Sequence, residues 1–285
     1  MIRGTLIASD GATAGSPPSS EFPSAANTGH SWGESPPSGS VGGFTVTQSD
    51  TVYSGLQING NVTLAAGVTG VQFLDCRWTG GWLHAPYDAG TERVLVEDCT
   101  MYGSPSSYDT QGCGGSGFVI RRCDISGYGI LISQDYDSLV EDNYLHDHVC
   151  GGSAHGEAFL CSGGSGNIVR HNTTRLPHTA CLSSCISFYG DFKQQDNQLV
   201  ENNLILGAGG FALYAGSVPG KPYPVATNFR VIDNVFGTDF YSDCGVYGPV
   251  TSYQAGGGNE FTGNVWMQTV EPLPGGVSDG DPVNP

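Results

Sequence analysis

The sequence predicts an all-β chain wound as one right-handed parallel β-helix. Three observations carry this: a phrase repeated along most of the chain, repeat lengths of a few tens of residues, and no helical spacing between copies. Aligned on their last residue, the copies read FLD-Cys76, VED-Cys99, IRR-Cys123, VED-Asn143, VRH-Asn172, VEN-Asn203, VID-Asn234 and FTG-Asn264. Each is a short apolar strand, two polar residues, then Cys or Asn leading into another strand-like pair. The steps between copies are 23, 24, 20, 29, 31, 31 and 30 residues, the length of one solenoid coil. About eight or nine coils are expected, the first using residues 44–64.

The domain plan follows from composition. Residues 1–45 contain SPPSSEFPSAANTGHSWGESPPSGSVGG, rich in Pro, Ser and Gly and without strand or helix periodicity, and read as an extended arm. Alone in water such an arm is mobile; if ordered, it must be held by the first coil or by a neighbouring chain. Residues 46–268 form the β-helix, and residues 269–285 form an extended tail. The 44 glycines suit a body built of short strands and turns.

Stacking places equivalent residues of adjacent coils about 4.8 Å apart. Asn143, Asn172, Asn203, Asn234 and Asn264 are therefore expected to form a ladder at one corner, each amide bonding the next amide and the turn backbone. Cys76, Cys99 and Cys123 continue it as buried free thiols, since three in a stack cannot all pair. Of the other cysteines, Cys150 with Cys181 and Cys161 with Cys185 sit in consecutive coils at spacings that allow bridges, and sequence does not choose between them.

Charge narrows the partners. The formal net charge is −17, which repels nucleic acid phosphates and excludes a nucleic acid partner. Apolar stretches are strand-sized, so no membrane insertion is expected. No cofactor is implied, and no metal site is read from Cys or His spacing. Calcium is the one ion that the acidic surface would suit. The start MIRGTLIASDGATAG is read as lacking an export signal, whereas nine cysteines suit an oxidising exterior. A particle released by lysis reconciles the two.

The later, longer coils must release their extra residues as loops, where chemistry is usually found. Five of seven histidines fall between residues 146 and 178. In this segment His146, Asp147, His148, His178 and Arg175 are binding candidates, and His155 with Glu157 could do acid/base work. If residues 145–149 are extended, His146 and His148 share one side and Asp147 the other. A hydrolase needs two carboxyls roughly 5 to 9 Å apart, and Glu157 with Asp191 is the best pair on adjacent coils. A lyase needs a base beside a carboxylate neutraliser. Only Lys193 and Lys221 are lysines, while Arg170 and Arg175 are neutraliser candidates. Tyr87, Tyr108, Tyr136, Tyr223 and Tyr253 are loop aromatics able to stack on sugars.

The phrase NIVRHNT at 167–173, preceded by HGEAF, resembles the coil signature of the pectin-lyase-like parallel β-helix proteins, over residues 44–268. PSAANTG at 23–29 with TVYSGLQINGNV is similar to β-helix proteins of actinobacteria and of their phages, where they are minor tail proteins. Where relatives carry Asp and Gly this chain has Glu157 and Ala158, and only His155 matches unchanged. GEAFLCSGGSGNIVRHNT also resembles calcium-assisted alginate and chondroitin lyases, but the stretch contains no Lys to serve as their base. The resemblance implies a virion-surface protein of an actinobacterial phage, in the tail or decorating the capsid. Its arm would dock on other virion proteins, its loops would meet a host glycan, and it could form a homo-oligomer. The rival expectation is a secreted polysaccharide lyase or hydrolase, or a carbohydrate-binding protein without turnover.

Overall fold

A computed structural model describes residues 22–87, 93–104, 110–149, 151, 155–177, 181, 184–207 and 209–285. The chain is a parallel β-helix. Nine strands, from Val52–Ser54 to Glu260–Thr262, stack as one face, and three-faced coils are completed by a 17-stranded sheet that bends around the other two. All strand pairs are parallel, with each strand joined to its counterpart one coil away.

The core is three columns of stacked side chains. On the first face the column runs Tyr53, Phe73, Val96, Ile120, Val140, Val169, Val200, Val231, Phe261. On the second it runs Ile58, Trp78, Met101, Ile125, Leu145, Thr174, Ile205, Phe236, Trp266. The third face contributes Leu83, Cys113, Ile132, Phe159, Ile186, Leu213 and Val250. Each buried Val, Ile or Phe stabilises the stack by about 1.5–3 kcal/mol.

The repeated phrase is the corner between the first and second faces. In all nine coils the two strands there are separated by two residues only. The first of the two is left-handed: Gly55, Asp75, Asp98, Arg122, Asp142, His171, Asn202, Asp233 and Gly263 all have φ between 49° and 66°. Asp, Asn and His tolerate this region better than other side chains, which is why they dominate the position. At Gly263 a Cβ would lie 1.8 Å from Asp233 Oδ1, so glycine there answers both the backbone angle and a close approach. A second left-handed row enters the first face: Asp50, Gly70, Arg93, Gly117, Asp137, Gly166, Asn197, Asn228 and Gly258.

The second corner residue is the ladder. Asn172 donates through Nδ2 to Asn203 Oδ1 at 3.0 Å and to the Val140 and Arg170 carbonyls, and its Oδ1 accepts from Asn143 N and Nδ2. Asn203 and Asn234 repeat the pattern, ending at Asn264. Toward the N-terminus Asn143 Oδ1 accepts from Cys123 N, and Cys76, Cys99 and Cys123 continue as buried free thiols donating to carbonyls of the preceding coil. Cys161 and Cys185 are also free buried thiols, so that allowed bridge does not form; Cys150, half of the other, lies outside the described residues. At the opposite corner lies a second amide ladder, which the sequence reading missed. Asn167 Oδ1 accepts from Ser138 N, Gln198 Oε1 from Asn167 N, and Asn259 Oδ1 from Phe229 N. Its members differ in side-chain length, so no fixed phrase marks it.

Arg170, weighed above as a carboxylate neutraliser, has a structural duty instead. Glu97, Arg121, Glu141, Arg170 and Glu201 stand directly opposite one another along the first face, alternating in sign. Arg121 meets Glu97 at 3.0 Å and Arg170 meets Glu141 at 2.7 Å. Opposed pairs on neighbouring strands favour register.

The solenoid itself holds the described part of the arm, along several coils rather than the first alone. Phe22 stacks on His171, Gly29 N donates to Arg122 O, Ser31 N and Trp32 Nε1 donate to Asp75, and Ser38 N donates to Gly55 O. The arm thus runs back along the left-handed corner. At the other end the tail returns so that Val265 bridges Pro282 and Val283 N donates to Asn264 O, covering the last coil.

Asn203→Ala would leave the Asn172 amide and the Val169 and Glu201 carbonyls without their side-chain partner. Its expected cost is about 3 kcal/mol, read as a lower denaturation midpoint at unchanged slope.

Candidate functional site

Because the corner between the first and second faces is invariant, coil length varies only on either side of the third face. The connections there include residues 147–156 and 216–229. The third face therefore carries the variable chemistry. Strands Glu157–Cys161, Ser184–Phe188 and Phe211–Ala215 pair in register, placing Glu157 beside Ser184, Leu160 beside Ser187, and Ser187 beside Tyr214.

Glu157 is buried. Burial pushes its pKa up to about 8, opposed by the charge of Lys221, so the group is protonated at neutral pH. The Ser184 and Ser187 hydroxyls hydrogen-bond each other, and Ser187 Oγ donates to the Tyr189 hydroxyl at 3.1 Å. Burial, then the nearby Glu157, raises the pKa of Tyr189. Lys221 Nζ lies 2.7 Å from Asp191 Oδ1 and 4.7 Å from the centre of the Tyr189 ring.

From Tyr189 a row of rings crosses three coils. Tyr189 to Tyr214 is 5.3 Å between centroids, Tyr214 to Phe211 is 5.9 Å, and Phe211 to Tyr247 is 5.8 Å. Tyr247 is 61% exposed, and on the adjoining loops Phe192 is 72% and Tyr223 45% exposed. Tyr223 N donates to Gly190 O, so the two loops are tied together. The chain's other lysine, Lys193, sits 4.6 Å over the Tyr136 ring on the same flank.

The predicted site divides into separate places. Glu157 and Asp191 belong to this patch, where the Asp191 carboxylate pairs with Lys221. His155 is exposed at the entry to the Glu157 strand. His146, Asp147 and Arg175 lie on or beside the second face. There His146 Nε2 faces Asp124 Oδ1 at 2.9 Å and Nδ1 faces Asp147 Oδ2 at 2.8 Å. Burial opposes charge on His146, yet these two carboxylates outweigh it and raise its pKa. Arg175 Nε donates to Asp239 Oδ2 at 2.7 Å.

The expected alternation along 145–149 does not occur, because Asp147 is left-handed (φ 47°) and ends the strand at His146. His148 instead turns inward, buried against Gly156, where a Cβ would lie 2.1 Å from its Cδ2. Burial pushes His148 down to about 4, leaving it neutral, and its Nε2 lies 3.6 Å from Cys181 Sγ. His178 lies outside the described residues, as does Tyr108. Among the described residues no group of three His, Cys, Asp or Glu is placed to hold a metal ion.

Of the other tyrosines named from sequence, Tyr87 bonds Gln111 and Ser133, and Tyr253 packs on Phe261. The row itself, Tyr189, Phe211, Tyr214 and Tyr247, escaped the sequence reading. A second repeated phrase marks part of it: AFLCSGG, ISFYGD and LYAGS each pass from the third face into its following loop.

No family model matches the chain, and no curated protein matches it. Among solved structures it is similar to the crystal structure of Dettilon tailspike protein (gp208), with a TM-score of 0.37 and 15% identity. That alignment covers 80% of this chain and 56% of the other, so the chain spans little more than half the length of that structure.

The raised Glu157 pKa has a consequence for stability. The folded protein holds a proton that the unfolded chain releases near 4.5, so stability falls as pH rises from there to about 8 and then levels off. The fall is at most about 1.4 kcal/mol per pH unit within that window. Glu157→Gln is expected to flatten this part of the melting-temperature profile and to melt higher than the parent at alkaline pH.

Proposed function

We propose that the chain is an exterior component of an actinobacterial phage particle, in the tail or on the capsid, whose third face attaches to a glycan. The observation that carries the glycan reading is the ring row from Tyr189 to Tyr247, open to solvent at its Tyr247 end. Aromatic faces aligned along a rigid solenoid suit the apolar faces of sugar rings, and their ordering is complete before a ligand arrives. Hydroxyl partners beside the row are supplied by the part-exposed Lys221–Asp191 pair. Placement on a virion rests on the sequence likeness of PSAANTG and TVYSGLQINGNV to phage minor tail proteins.

A buried carboxyl that keeps its proton at neutral pH also suits a general acid, which favours a glycoside hydrolase as the second reading. One experiment separates them: retention on immobilised cell-wall polysaccharide, followed by analysis of released sugars. Attachment predicts retention without product, and Tyr214→Ala and Tyr247→Ala each weaken it roughly tenfold. Product that disappears in Glu157→Gln would establish the hydrolase. Absence of both retention and product across neutral and acidic polysaccharides would remove the glycan reading.

A further inference from the structure

The two ends of the solenoid differ. At the C-terminal end the tail lies across the last coil, bringing Asp279, Asp281 and a bridge to Pro282 over the edge at Val265 and Trp266. At the N-terminal end nothing described covers the first coil. Strand Ser40–Val46 pairs on one side with Gln57–Leu64, and Val52–Ser54 with Gln72–Leu74; among the described residues neither has a partner on its other edge.

This end is nearly uncharged, its exposed side chains mostly Ser, Thr and Gln with a few apolar ones among them. Val52 is 53% exposed, and Val41, Phe44 and Tyr53 are only partly buried. The core aromatic stack of Phe73 and Tyr53, 5.0 Å apart, ends in Phe44, another 5.0 Å on. Between Ser40 and Leu56 the only charged residue is Asp50, in a chain of net charge −17. A solenoid normally closes its ends with polar caps, and free strand edges are templates for pairing unless charge or proline blunts them. Neither occurs within Ser40–Val46, whose one irregularity is a register shift between Gly42 and Phe44.

We propose that two copies of this chain join head to head, each lending its free first-coil edges to the other. The geometry selects this partner. An edge strand placed on a two-fold axis pairs antiparallel with its own copy, which makes a closed, isologous contact. Head-to-tail pairing is prevented on the second face, where the tail already occupies the edge of Val265–Met267. Charge points the same way: two acidic bodies repel wherever their sides approach, whereas the first coil offers one carboxylate per copy. This contact is independent of the glycan reading and leaves the third face open.

The test is the mass of the full chain in solution, by light scattering and sedimentation across concentration and salt. Twice the chain mass is expected, with association strengthened by added salt as the net charge is screened. Gly42→Lys has open space around its new Cβ, and Val52→Lys alters an already exposed side chain. Either should weaken self-association roughly a hundredfold by setting like charges against each other, with the melting temperature confirming the fold. A single-chain mass at every concentration overturns the proposal. A dimer indifferent to both substitutions overturns it too, since the contact would lie elsewhere.

Discussion

The structure depends on a two-residue corner. In every coil one left-handed residue turns the chain, and in all but the first, where Leu56 follows Gly55, the next is an Asn or Cys whose side chain meets the equivalent group a coil away. The constraint is mutual. The left-handed turn aims the Asn side chain at buried carbonyls, and the bonded Asn keeps the turn from slipping by one residue, which would carry the whole core column to the solvent face. Asn serves where the coils are long, while the shorter early coils use Cys, whose thiol donates to a carbonyl of the preceding coil and, at Cys99, also accepts from Cys76 N. The alternating charges of Glu97, Arg121, Glu141, Arg170 and Glu201 add a second register signal on the outside of the same face.

Fixing one corner so tightly leaves variation only around the third face. Insertions before it carry His148 and His155, and insertions after it carry Asp191, Phe192, Lys221 and Tyr223. The strands between them are short and well buried, so they can hold a costly group such as the neutral carboxyl of Glu157. Rigidity from the ladder and variety from the loops thus meet on one surface. The second face shows the contrast: its ionisable groups, His146 with Asp124 and Asp147 and Arg175 with Asp239, satisfy one another.

Charge is likewise distributed by architecture. Acidic residues line the corners and the returning tail, whereas the first coil is almost neutral. A solenoid has only two places where its repeat is interrupted, and here the tail pairs along one while no described residue pairs along the other.

The sequence by itself determined the architecture, because a parallel stack demands that the same kind of residue recur at the same place, and recurrence is visible without coordinates. The Asn and Cys ladder, the coil count and the location of the loops were all legible for that reason. The second amide ladder was less so, since Ser138, Asn167, Gln198 and Asn259 do the same task with side chains of different lengths. What only the tertiary structure decided is which loop residues meet. Glu157, Tyr189, Tyr214, Lys221 and Tyr247 are spread over some ninety positions, and only the coil pitch brings them onto one patch. The histidines, close in sequence, were scattered by a single left-handed residue, Asp147, that turned His146 and His148 into different surroundings. Recurrence reads along the chain, but a site on a solenoid is assembled across it.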